Sequence, residues 1–153
     1  MFRISGLPAE LFQPLFALSD AELAARGAVR QVADTKPGYP CRISLTDADP
    51  GDEVILTHFE HHAVATPFRA SHALYVRRGE TTYEVTNEVP EQLRLRLLSV
   101  RAFDHAGMLV DADVVDGREL ERAIARLFGD ARASYLHVHY AKPGCYAARV
   151  DRA

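Results

Sequence analysis

The chain has 153 residues, 48% of them hydrophobic and 25% charged, and a net charge of −3, the balance of a single globular domain able to bury roughly 70% of its unfolded surface. So slight an acidic excess supplies no basic field for nucleic acid or an anionic membrane surface, and no apolar stretch approaches the ~18 residues of a membrane span. Sixteen arginines stand against two lysines, a bias of the kind a GC-rich coding sequence produces, so no arginine is marked by its type alone.

The N-terminal Met1-Phe2-Arg3-Ile4-Ser5-Gly6 lacks the apolar run of a signal peptide. A cytosolic address is expected, and with it free thiols at Cys41 and Cys145 rather than a disulfide. Phe2-Arg3-Ile4 alternates as a short first strand. Residues 8–18 are apolar at helical spacing, but Pro14 removes a backbone donor, which predicts two short turns instead of one helix. Ser19-Asp20-Ala21-Glu22 is a capping box with Leu18 and Leu23 as its staple, and Gly27 is a stop. Residues 28–33 then read as a strand.

Residues 41–45 alternate as a strand after a proline-rich loop, and the acidic stretch that follows, Asp47 to Glu53, reads as a solvated turn, with Pro50-Gly51 suited to a type II turn. Residues 54–59 begin apolar on both faces, as an interior strand does. A loop holding Glu60, His61, His62 and Pro67 leads to strands at 73–77 and 81–85. One helical turn at 90–94 precedes a hairpin of 97–103 and 108–115. Arg94, Arg96 and Arg101 alternate with leucines as an exposed strand face would. Asp116-Gly117-Arg118-Glu119 opens the strongest helix, whose stripe is Leu120, Ala123, Ile124, Leu127 and Phe128. The whole reads as one α+β domain spanning residues 1–153, with a mostly antiparallel sheet and helices packed over one face.

The last hairpin carries the densest chemistry: Tyr135-Leu136-His137-Val138-His139-Tyr140, then Ala141 to Gly144, then Cys145-Tyr146. Side chains alternate along a strand, so Tyr135, His137 and His139 share one face while Leu136, Val138 and Tyr140 face a core. Two imidazoles about 7 Å apart can share a metal ion, with His61, Glu60, Cys41 and Cys145 as possible further ligands. No H-E-x-x-H motif completes such a set, and no metal or cofactor is assigned. A thiol beside an imidazole can act as a nucleophile. A four-residue loop puts Cys145 on the face opposite His139, and a five-residue loop puts it beside His139. Both are common.

Several segments, taken in order, carry a resemblance: Tyr39-Pro40-Cys41-Arg42-Ile43-Ser44-Leu45; Phe59-Glu60-His61 with Pro67-Phe68-Arg69-Ala70; Leu98-Ser99-Val100-Arg101-Ala102-Phe103-Asp104; and His137-Val138-His139 with Pro143-Gly144-Cys145-Tyr146-Ala147-Ala148-Arg149. They resemble a small bacterial family known only as domain of unknown function 1203. The resemblance implies a stand-alone cytosolic domain and brings no activity. It draws Cys41, Arg42, Glu60, His61, Arg69, Arg101, His137, His139 and Cys145 around one groove and leaves out His58, His62 and His72, which read as surface residues.

The leading expectation is a small-molecule site for an anionic ligand, or an enzyme built on one. His137, His139 and Cys145 would be its catalytic groups, and Arg69, Glu60, His61, Cys41, Arg42 and Arg101 would bind the ligand. The alternatives are a non-catalytic interaction module and a metal-dependent enzyme using His137 and His139. Neither nucleic acid nor membrane is expected as a partner, and a homo-oligomer stays open.

Overall fold

In the computed structural model, which describes residues 1–153, the C-terminal hairpin lies at the centre of the molecule. The strands are β1 (Phe2–Ser5), β2 (Val29–Val32), β3 (Glu53–His62), β4 (Ala70–Arg77), β5 (Glu84–Thr86), β6 (Leu97–Phe103), β7 (Leu109–Asp116), β8 (Tyr135–Tyr140) and β9 (Tyr146–Arg152). Three short helices join them, α1 (Asp20–Ala25), α2 (Glu91–Arg94) and α3 (Leu120–Phe128). A six-stranded sheet has the order β5-β1-β9-β8-β6-β7, and a three-stranded sheet the order β2-β3-β4. Every paired strand in both is antiparallel, and the architecture is α+β.

One face of the large sheet is the main core. Leu98 and Val100 of β6, Leu136 and Val138 of β8, and Ala148 and Val150 of β9 pack against Leu120, Ile124 and Leu127 of α3. The period of β8 and the stripe of α3 therefore meet as the sequence implies. The Asp116 carboxylate accepts from the Arg118 backbone N–H at 2.9 Å, so the expected capping box before α3 is half made. At α1 the box is complete, with Ser19 and Glu22 bonded in both directions.

The opposite face of β8 is also covered. The small sheet folds over it, and Tyr146 of β9 joins Ile55, Leu74 and Val76 in a second core with Phe12, Phe16 and Leu23. All six residues of β8 are buried as a result.

Five sequence expectations change. Residues 41–45 form no strand: Leu45 adopts φ 53°, which an extended strand forbids, and only isolated bridges from Pro40 to Asp47 and Cys41 to Tyr75 remain. Residues 60–62 are not loop but the end of β3. The third strand of this region is shorter and later than 81–85, at Glu84–Thr86. Asp47 is no solvated turn residue, because its buried carboxylate takes two bonds from Arg96, at 3.0 and 2.6 Å. Arg96 and Arg94, which pairs with Glu121, are thereby engaged instead of lining an exposed strand. Two short turns form as expected, Ala9–Leu11 and Gln13–Ala17, divided at Phe12 with Pro14 in the first turn of the second. No helix is long and apolar enough to cross a membrane.

Ile124 is 1% exposed and sits in the middle of the α3 contact. Urea denaturation of Ile124→Ala should show a loss of about 2–5 kcal/mol, the range for emptying a buried aliphatic site.

Candidate functional site

Two β-bulges build the site. Between Phe59 and His62 the β3–β4 register slips by one residue, from Phe59 opposite His72 to His62 opposite Ala70. In a regular strand His61 and His62 would point to opposite faces; the extra residue lets both rings turn toward the large sheet. His61 stacks on Tyr146 with ring centroids 4.7 Å apart, while His62 reaches Tyr135 through a 2.6 Å bond from the phenol O–H. A second slip, between Val138 and His139, sets Val138 opposite Ala148 but His139 opposite Tyr146. That bulge moves Tyr146 onto the histidine face of β8.

Four imidazoles crowd the resulting space. The ring of His61 lies 5.8 Å from His137, 5.2 Å from His139 and 4.9 Å from His72, centroid to centroid. His61, His137 and His139 each turn one nitrogen inward, and these atoms all lie within 4.8 Å of one another. His139 donates from Nδ1 to the Gly144 carbonyl at 3.0 Å, which leaves the lone pair of the neutral ring on Nε2. His62 is satisfied at both nitrogens, donating to the Phe68 carbonyl at 2.8 Å and accepting from Tyr135. Nδ1 of His61, His72 and His137 is buried with no hydrogen-bond partner. Burial pushes His137 down to about 2, His139 to about 3 and His61 to about 4, helped by the neighbouring rings and, for the last two, by Arg101. These rings are neutral near pH 7. Proton transfer is most efficient with a group whose pKa lies near the working pH, so this environment suits lone-pair donation better than acid–base catalysis.

His61, His137 and His139 form the floor of a cleft of about 350 Å³ whose walls include Phe68, Arg69, Arg101 and Phe103. Arg101 of β6 lies directly opposite His137 of β8, where side chains of antiparallel strands are about 5 Å apart at Cβ. Its guanidinium is half-buried; Nε bonds Ser99 Oγ at 3.2 Å, and no carboxylate pairs with it. Burial alone lowers its pKa. Arg69 stands at the rim, largely exposed, and donates from Nε to Glu60 at 2.7 Å. Glu60 supports Arg69 but does not line the cleft.

The family model described as Protein of unknown function (DUF1203) matches residues 38–152. The chain belongs to that family. No curated protein and no solved structure matches it. Every strand that builds the cleft, β3, β4, β6, β8 and β9, lies inside the span matched to the DUF1203 family.

Not every residue expected in the groove reaches it. Five residues separate β8 from β9, but Tyr140 N–H donates to the Cys145 carbonyl at 2.9 Å and His139 pairs with Tyr146, so Cys145 lies opposite Tyr140, as a four-residue turn would place it, and faces away from His139 and His137. Its sulfur instead accepts from the Arg42 guanidinium at 3.0 Å. Arg42 is a structural anchor: 2% exposed, it donates from Nε to the Tyr146 carbonyl at 2.8 Å and also bonds the Pro40 carbonyl. Cys41 is buried, its thiol pushed up to about 12 by desolvation. Arg42 and Cys145 line a larger, mainly apolar cavity of about 780 Å³ that includes Tyr140, Leu56 and His72. Its two arginines are already engaged with Tyr146 and Asp47, whereas the smaller cleft holds His61, His137 and the unpaired Arg101.

His62, His72 and Tyr146 belong to the site although the sequence reading left them out. The His61-His62 doublet in a strand was the one available signal, since adjacent inward residues require a bulge. Only His58 is the exposed residue expected, bonded to Ser71 at 2.8 Å.

Both cysteines are free, but their environments differ. A thiol-specific reagent near pH 8 should label one sulfur per native chain, Cys145, and reach Cys41 only after denaturant unfolds the protein. Equal labelling rates in the native state would contradict the burial of Cys41.

Proposed function

We propose that the cleft binds a small anionic molecule, a carboxylate or phosphate compound, with Arg101 as its principal anchor. The observation that carries this reading is a half-buried guanidinium without a carboxylate partner, set against neutral imidazoles. Such a cation has lost hydration without receiving a counter-charge, and an anionic ligand supplies both charge and hydrogen-bond acceptors. Phe68 and Phe103 give the cleft an apolar wall, and its size falls within the range of small-molecule sites. Arg69, held by Glu60 at the rim, meets the ligand as it arrives. The imidazoles orient the ligand instead of shuttling protons. Cys145, Cys41 and Arg42 have no part in this reading, because the fold directs them elsewhere.

Melting the protein with inorganic phosphate and with small mono- and dicarboxylates, against chloride at equal ionic strength, tests the proposal. At a hundredfold excess over Kd a ligand adds about 2.7 kcal/mol, a rise of about 5–10 °C for a chain of this length. Arg101→Met should weaken binding about ten- to hundredfold, the worth of one charged hydrogen-bonding group. Arg69→Ala should cost less, since its head is exposed. No stabilisation by any of these anions, or an Arg101→Met protein that responds like the wild type, would remove the reading.

A further inference from the structure

We infer that His61, His137 and His139 bind one divalent transition-metal ion through their imidazole nitrogens. The inference rests on the placement of three rings and is independent of the anion reading, although both concern the same cleft.

The geometry comes first. Metal–nitrogen bonds of about 2.1 Å in a tetrahedral set place three nitrogens about 3.4 Å apart and their ring centroids roughly 5 Å apart. Here the nitrogens lie within 4.8 Å of one another, and the centroids are 5.2, 5.8 and 6.4 Å apart. Closing on an ion needs ring rotations and shifts of about 1 Å. The rings are also held in place. Tyr146 stacks on His61, and the Gly144 carbonyl fixes His139 from behind. A backbone carbonyl on the far nitrogen is the usual support of a metal-binding histidine, because it sets the tautomer and aims the other nitrogen.

Unsatisfied groups point the same way. His137 is 2% exposed, yet its Nδ1 has no partner, and the same is true of His61 Nδ1. Buried polar atoms are nearly always paired, and three orphans among four neighbouring imidazoles, His72 Nδ1 being the third, mark a place where interactions are still to be made. His62, by contrast, has both nitrogens bonded and is no ligand.

The donor set selects the metal class. Three imidazoles with no carboxylate or thiolate suit zinc and its neighbours, cobalt, nickel, copper and ferrous iron, whereas magnesium and calcium need oxygen donors. Three protein ligands leave a further coordination position, as metal sites that bind water or substrate do. That position opens on the cleft that Arg101 lines. A guanidinium beside a divalent cation is repelled by it, and an anion lying between them removes the repulsion.

The test is a titration of the chelator-treated full-length protein with Co(II), followed by visible absorption, with Zn(II) then displacing it. The wild type should take up one Co(II) per chain, with the spectrum of a four- or five-coordinate nitrogen site. His61→Ala and His139→Gln should each bind about a hundredfold more weakly or not at all. His58→Ala and His105→Ala, which alter exposed rings, should titrate like the wild type. His61 is only half-buried, so His61→Ala decides the matter even if substitutions at His137 or His139 fail to fold, as near-ultraviolet circular dichroism would reveal. No stoichiometric uptake by the wild type, or equal affinity in His61→Ala, overturns the inference. Arg101→Met separates the two readings. Metal uptake that survives while phosphate stabilisation is lost supports both; anion binding without metal uptake overturns this one alone.

Discussion

Burial of β8 on both faces is the constraint from which the rest follows. A strand with leucine and valine on one side and histidines on the other ordinarily leaves the polar side in water. Here the small sheet closes over it, and His137 and His139 end 2% and 1% exposed. Charged imidazoles in that position would cost several kcal/mol each, so the rings stay neutral and need partners. His139 finds Gly144, but one buried nitrogen of His137 finds none. The site is therefore a local exception beside buried polar groups that are bonded, such as Asp47 to Arg96 and Arg42 to two backbone carbonyls.

The arginines divide along the same line. Arg42 binds the Tyr146 and Pro40 carbonyls, so that the irregular loop before β3 is tied to the hairpin that carries the histidines. Arg149 lies over the Tyr135 ring and pairs with Asp151. These side chains stiffen the floor of the cleft, and a rigid floor holds ligating or binding groups to the tolerance their chemistry needs. Arg101, on the same face, carries no carboxylate. In a chain with sixteen arginines, the residue type says nothing; what marks this one is a half-buried head in the cleft whose one bond is to a serine hydroxyl.

Bulges convert a two-residue period into a convergent site. Without the slip in β3, only one of His61 and His62 could face the large sheet, and without the slip in β9, Tyr146 would turn into the main core instead of stacking on His61. The same register explains the fate of Cys145. Pairing opposite Tyr140, Cys145 precedes β9 with its thiol on the far side, where Arg42 and the larger cavity lie.

Local rules made a good part of this legible in advance. The alternation of β8, the stripe of α3, the cap at Ser19 and the break at Pro14 all involve residues within a few positions of one another, and the fold keeps each of them. The sequence by itself thus determined most of the elements, the α+β class, and that His137 and His139 share a face. Tertiary structure alone decided what that face meets. The covering sheet comes from residues that end at Arg77, far ahead of Tyr135 in the chain, and its one-residue slip has no local composition signature beyond the His61-His62 pair. Whether Asp47 is solvated, whether 41–45 extends as a strand and whether Cys145 joins the histidines likewise depended on contacts with Arg96, Tyr75 and Arg42. Periodicity reports which side of an element is apolar. It is silent on which distant element arrives to bury the other side, because that is set by the packing of whole sheets.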